Sequence, residues 1–335
     1  MPPPLSVLDL TPVPSGSTGA QALANTVDLA RATDGWGYTR YWLAEHHNLP
    51  GMASSAPEIM IGRIADATAR IRVGSGGIML PNHSALQVAE SFKVLEALHP
   101  GRIDLGIGRA PGTDGLTAMA LRRSTQSPGP NDFPDQLVEL IALGGDGLPD
   151  DHPFHSVRAE PRDVALPPIW MLGSSDYGAH VAAALGVGFA FARHMNPRGA
   201  DEAMRIYRDD FRPTLAMPEP YAILAVSAVC ADDRARATEL AMSLGLGVVH
   251  MRSGRPGPLP SPEEAAAHEY TPHEQDQVRR YLRAQVLGGP AEVADQLLGL
   301  AAETRADEVM VMTSVHGHAE RLRSYELIAG AVLSA

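Results

Sequence analysis

Polar side chains able to hold an anion or move a proton recur along this chain just after short apolar runs. Glu45, His46 and His47 follow the run at 39–43. Gly76, Gly77 and Asn82 lie in or after 71–80, and Arg109 follows 102–108. Ser174 and Ser175 follow 167–172, His194 follows 188–192, and Asp9 falls at the end of the first run, 5–10. If these runs are parallel strands of one barrel, all of these residues gather at one mouth, where the loops after strands build active sites. Their convergence is the signal; any one of them alone says little.

The residue types narrow the chemistry. Gly173, Ser174 and Ser175 stand between a strand and a helix, where free backbone N–H groups attract phosphate and hydroxyls add donors. Arg109 supplies a permanent cation suited to the same anion. The alternative use of Ser174 or Ser175 is an ordinary helix N-cap. His46 and His47 are neighbours, so at a strand end they point in opposite directions and make a poor two-ligand metal pair. One can face the mouth while the other packs behind it. An imidazole with an ordinary pKa of ~6.5 suits proton transfer near neutrality, the alternative being a histidine bonded to backbone. His316, His318, His268 and His273 read as solvated loop histidines, and no metal site is expected. Gly76-Gly77 inside a strand marks a place where a ligand or another backbone comes close, or a simple bulge. Gly106, Gly108 and Gly112 lack the GxGxxG spacing and no clear helix opens after them, which rejects a nicotinamide-type Rossmann site.

The elements that must position these groups alternate. Eight apolar runs, at 5–10, 39–43, 71–80, 102–108, 167–172, 188–192, 221–230 and 308–312, are mostly separated by segments of helical period. Strands apolar throughout imply a parallel sheet covered on both faces. Eight βα units favour closure, so the expected fold is α/β, a (β/α)8 TIM-type barrel with loop insertions, one domain over 1–335. The insertions are 110–130, 145–165 and 250–275, the last polar, Pro/Gly-rich and expected to be mobile. Helices are expected at 277–287 and 291–303 after it.

Composition removes whole classes. A net charge of −12 argues against nucleic-acid and anionic-membrane partners. Cys230 is the one cysteine, so neither a disulfide framework nor a Cys-rich metal site is possible. No apolar run reaches the roughly 18–20 residues that span a bilayer. The first residues show no signal-peptide pattern, so a cytoplasmic location is expected.

Several segments then coincide with one family. YWLAEHHN (41–48), VGSGGIMLPNHSALQVAE (73–90), GRIDLGIGRAPGTD (101–114), IWMLGSSDYGAHVAAALG (169–186) and FAFARHMNP (189–197) occur in order. With them the chain resembles luciferase-like flavin-dependent monooxygenases over nearly its full length. The resemblance implies a TIM-type barrel, often dimeric, that takes reduced FMN as co-substrate. Arg109 would contact the FMN phosphate, with Gly173, Ser174, Ser175 and Tyr177 in the phosphate-binding turn. Gly76-Gly77 would form a non-prolyl cis peptide beneath the flavin ring, and His46 would be the catalytic base. Tyr177 replaces a smaller hydroxyl residue of the luciferase subunit. Gly108 stands where luciferase has a cysteine, which sets aside light emission with a long aldehyde but not flavin chemistry. The implied reaction transfers one atom of dioxygen, through a flavin hydroperoxide, to a small organic substrate such as an aromatic polyketide intermediate. A separate NAD(P)H:flavin reductase would supply reduced FMN. A deazaflavin-dependent oxidoreductase on the same barrel and a non-catalytic flavin-binding protein are the alternatives.

Overall fold

The computed structural model describes residues 2–122 and 132–333, so part of the 110–130 insertion lies outside the described residues. The strands are β1 (Leu5–Asp9), β2 (Arg40–Leu43), β3 (Arg72–Ser75), β4 (Ile78–Met79), β5 (Ile103–Gly108), β6 (Ile169–Gly173), β7 (Gly188–Ala192), β8 (Ala222–Cys230), β9 (Val286–Gly288) and β10 (Glu308–Met312). All pairings between them are parallel, in the order β10-β1-β2-β3-β5-β6-β7-β8, and β10 pairs back onto β8. That last pairing closes an eight-stave barrel.

Helices cover the outside: α1 (Gly19–Gly35), α2 (Pro57–Ala67), α3 (Ala85–Leu98), α4 (Gly115–Arg122), α5 (Phe133–Gly144) and α6 (Asp176–Leu185). Then come α7 (Ala200–Asp209), α8 (Arg234–Arg252), α9 (Pro262–Ala267), α10 (Pro272–Arg283), α11 (Pro290–Thr304) and α12 (His318–Val332). Local chemistry starts several of them. Thr18 and Asp233 accept from the backbone N–H of Gln21 and Arg236 and cap α1 and α8. Gly186, left-handed at φ 63°, ends α6.

The strand period of two sorts side chains into two cores. Leu8, Trp42, Ala44, Trp170, Ala190, Ile223, Ala225, Met310 and Met312 fill the barrel. Their neighbours, such as Leu5, Val7, Tyr41, Leu43, Val309 and Val311, pack outward against the helices. At the end where the strands begin, the inward positions carry charge. Arg40 bonds Asp104 at 2.8 Å and Glu308 at 3.0 Å, and Arg72 bonds Asp104 at 2.6 Å. Trp42 Nε1 donates to Asp104 at 3.1 Å, Tyr221 donates to Glu308 at 2.9 Å, and the Ser6 hydroxyl also donates to Glu308. Asp104 and Glu308 are fully buried, so this floor is sealed by matched ions.

Three expectations need correction. The run 71–80 is not one strand: the peptide Gly76–Gly77 is cis and separates β3 from β4. The expected helix 277–287 stops at Arg283, because Val286–Gly288 pairs with Ala228–Cys230 as β9. The insertion at 250–275 is not an irregular loop. It holds the end of α8, all of α9 and the start of α10, the last two opened by capping boxes, Ser261 with Glu264 and Thr271 with Glu274. Ala265 and Val278 bury this pair of helices against α8.

Candidate active site

The inward positions of β2 are Arg40, Trp42 and Ala44, so the next inward position is His46. Its backbone N–H donates to Ser54 at 2.9 Å, which holds the turn. Glu45 and His47 have the other parity and bond each other behind it, at 2.7 Å. On β7 the same count, Gly188, Ala190, Ala192, leads to His194. There His194 Nδ1 lies 3.3 Å from the carbonyl oxygen of Ala225. β2 and β7 stand on opposite sides of the ring, and the two counts place an imidazole at an inward position just past each strand.

Burial pushes both imidazoles below their ordinary value; the Glu45 carboxylate opposes this at His46 without overcoming it. A neutral imidazole at pH 7 is a proton acceptor. His46 Nδ1 is buried and has no hydrogen-bond partner among the described residues. A buried polar atom left so is the kind of group a ligand completes.

Glu45 is fully buried. Burial would raise its carboxyl, but bonds from His83, the Met79 N–H and His47 hold it below the usual carboxylate range. Burial likewise opposes charge on His83, and Glu45 reverses that and raises it.

At the rim, β5 and β6 are neighbours and bring Arg109 to the turn after Gly173. The Arg109 guanidinium lies 4.1 Å from the centroid of the Tyr177 ring. Among the described residues no carboxylate pairs with Arg109. Gly173 and Gly178 let β6 and α6 touch: a Cβ on Gly173 would stand 3.3 Å from the Gly178 Cα. Ser175 occupies the N-cap position of α6, yet its side chain makes no capping bond, which leaves the hydroxyl for something else. Asn196 donates to the Ser174 carbonyl at 2.9 Å and steadies the turn. One N–H is not free, since Tyr177 donates to Asp176 at 2.8 Å.

The cis Gly76–Gly77 peptide lies between these two groups of residues. A Cβ on Gly77 would come within 2.6 Å of the Gly106 carbonyl oxygen, and one on Gly76 within 2.7 Å of Leu8. The backbone passes here with no room for side chains. Asn82 donates to the Pro111 carbonyl at 2.8 Å and ties the following turn to the loop after β5.

Not every expected mouth residue is there. Asp9 has the outward parity and bonds Arg321 of α12 and Thr26 of α1, at 2.5 and 2.7 Å. Against the effect of burial, these partners lower its carboxyl. Counting from Leu8 inward would have placed it correctly. His316, His318 and His268 are not merely solvated: they lie within 3.1 Å of the Ser15 carbonyl, 2.9 Å of Asp28 and 3.6 Å of Glu274. Their partners at Ser15 and Asp28 are remote in sequence and invisible locally. Sequence reasoning assigned no role to His83, and its distance from Glu45 along the chain explains why.

A basic, hydroxyl-rich rim and two half-buried imidazoles stand at the end of the barrel where the loops after strands build active sites. The chain belongs to the luciferase-like monooxygenase family, whose family model matches residues 4–308. It is 42% identical over 322 residues to a luciferase-like monooxygenase of Escherichia coli K12, covering 96% of this chain and 95% of that one. It is 35% identical over 332 residues to the N-acetyl-S-alkylcysteine monooxygenase of Bacillus subtilis 168, covering 99% and 98%. The crystal structure of apo-MsnO8 superposes with a TM-score of 0.89 at 38% identity, covering 98% of both chains. The protein is an oxidoreductase of the monooxygenase kind.

Proposed function

We propose that this chain, one barrel domain over 1–335, is a reduced-FMN-dependent monooxygenase that transfers one oxygen atom from dioxygen to a small organic substrate. The observation that carries the reading is the Arg109 guanidinium over Tyr177, unpaired with any carboxylate among the described residues and beside a serine that caps nothing. The residues fit the cofactor. A phosphate answers the Arg109 cation and the serine hydroxyls, and the glycines at 76 and 77 let this backbone pack directly against Gly106 and Leu8.

Arg109, Ser174, Ser175 and Tyr177 would hold the phosphate, with Gly173 keeping the turn close to its strand. Gly76 and Gly77 would lie beneath the ring. Reduced FMN, when bound, supplies the electrons that activate dioxygen. His46 takes up or returns a proton at its unpartnered Nδ1, which its neutral state at pH 7 permits. The buried walls of the barrel keep water from the reacting atoms.

We propose aromatic polyketide intermediates as substrates, which would make this an enzyme of antibiotic biosynthesis. The thioether class, named in the Bacillus relative, is the competing screen. A separate NAD(P)H:flavin reductase would supply reduced FMN in the cytoplasm. No helix among the described residues is long and apolar enough to cross a membrane. Exposed Ile59, Val94, Leu98 and Val138, on the outer helices α2, α3 and α5, support a homodimer.

Anaerobic titration with reduced FMN, followed by stopped-flow admission of dioxygen, tests the reading. The expected result is saturable binding and an absorbing transient that outlives the same species in buffer. Binding of a reduced deazaflavin in place of FMN, or of neither, would overturn it.

A further inference from the structure

Three contacts converge on one buried carboxylate. Glu45 Oε2 accepts from the Met79 backbone N–H at 2.8 Å. His83 Nε2 lies 2.9 Å from Oε1 and 3.0 Å from Oε2. His47 Nε2 lies 2.7 Å from Oε1. Met79 ends the short strand that follows the cis peptide, and His83 ends the 3-10 turn after it, Leu80–Asn82. The carboxylate therefore grips both ends of the segment that carries the chain away from Gly76-Gly77.

We propose that Glu45 is a positioning residue: it fastens this segment to the end of β2 and so fixes His46, its neighbour of opposite parity, over the barrel axis. The proposal rests on the reading of His46 as the proton-handling group. Glu45 cannot itself reach the axis, because its parity turns it outward and all three partners lie there.

The charge arrangement serves the same end. A bare carboxylate beside His46 would favour the protonated imidazole. His83, backed by Glu58 of α2, answers the Glu45 charge. His83 and Glu58 line a cavity of about 330 Å³ together with Gln87, Glu90 and Ser91 of α3. His47, the third partner, opposes charge on His46. Glu45 is thus neutralised on the side away from His46 by groups that do not touch the mouth.

The test uses the full chain without cofactor and reads histidine titrations and Met79 amide exchange by NMR. Glu45→Gln removes the charge. The His83 titration should then fall, that of His46 should fall as well, and the Met79 amide should exchange about tenfold faster. His83→Gln leaves the carboxylate unanswered, so His46 should move up. Opposite shifts of His46 in the two variants are not what a purely structural role gives. Glu45→Asp keeps the charge and should restore part of the His46 titration.

A folded Glu45→Gln protein with Met79 exchange and the His46 titration both at wild-type values would overturn the proposal. If Glu45→Gln does not fold, an unmoved His46 in His83→Gln does the same. Failure of wild-type protein to bind reduced FMN would remove the flavin reading while leaving these cofactor-free readouts untouched, so the two failures are distinguishable.

Discussion

The two ends of the barrel treat charge in opposite ways. At the floor, Arg40, Arg72, Asp104 and Glu308 answer one another, and Trp42, Tyr221 and Ser6 add further hydrogen bonds to the carboxylates. At the mouth, among the described residues, Arg109 has an aromatic face but no carboxylate, and His46 Nδ1 has no partner. His46 Nδ1 is one of several buried polar atoms without a partner among the described residues, Trp170 Nε1 beside Arg40 among them, whereas Arg109 is exposed. The floor is a closed network of buried ions, whereas the mouth leaves a cation without a carboxylate and an imidazole nitrogen without a hydrogen bond among the described residues.

Substitutions at the two ends should separate these roles. The largest effect is expected from His46→Ala, with turnover down about 100- to 10,000-fold and reduced-FMN affinity nearly intact. Unchanged turnover would take His46 out of the chemistry. In the wild type, turnover should fall as acid protonates this imidazole. Because burial lowers its pKa, that fall should come below the ordinary ~6.5, and a pH profile already declining above 6.5 would contradict the assignment.

Asp104→Ala is next, and its effect is on stability. It strips Arg40 and Arg72 of a fully buried partner, which should cost about 3–5 kcal/mol in a denaturant titration. A loss under ~1 kcal/mol would mean that the floor does not differ from an exposed pair. Arg109→Ala should reverse the pattern, with reduced-FMN binding weakened about 10- to 100-fold and stability unmoved. An unaltered dissociation constant would refute the phosphate role.

The smallest effect sharpens the contrast further. Asp233→Ala should destabilise by about 1 kcal/mol, because that side chain caps α8. Ser175→Ala should change thermal stability little, because its hydroxyl caps nothing, and should show only in cofactor affinity. Equal losses of stability would return Ser175 to an ordinary cap.

The eight barrel strands were legible because their apolar runs are long enough to be buried on both faces. Val286–Gly288 was not, since three residues next to a helical pattern carry no period of their own. The helix α9 and the first turn of α10 were legible but overlooked. Ser261-Pro262-Glu263-Glu264 and Thr271-Pro272-His273-Glu274 are capping-box sequences, outweighed by the proline and glycine around them. Of the site, the residues at strand ends could be read one by one. The Glu45–His83 contact could not, because it joins residues 38 apart through a backbone turn. Asp9 was misplaced for want of a simple count along β1.

That count has a consequence for how such a chain can change over generations. Glu45, His46 and His47 take their sides from the alternation that begins at Arg40. One residue gained or lost between 40 and 46 would turn His46 into the helix layer and bring Glu45 or His47 over the axis. Substitutions there can be sampled singly, but length cannot. The segment just past Asn48 is pinned as well, by the Gly51, Ala53 and Ser54 backbone bonds to Val13, Thr11 and His46, so length is constrained on both sides of the triplet.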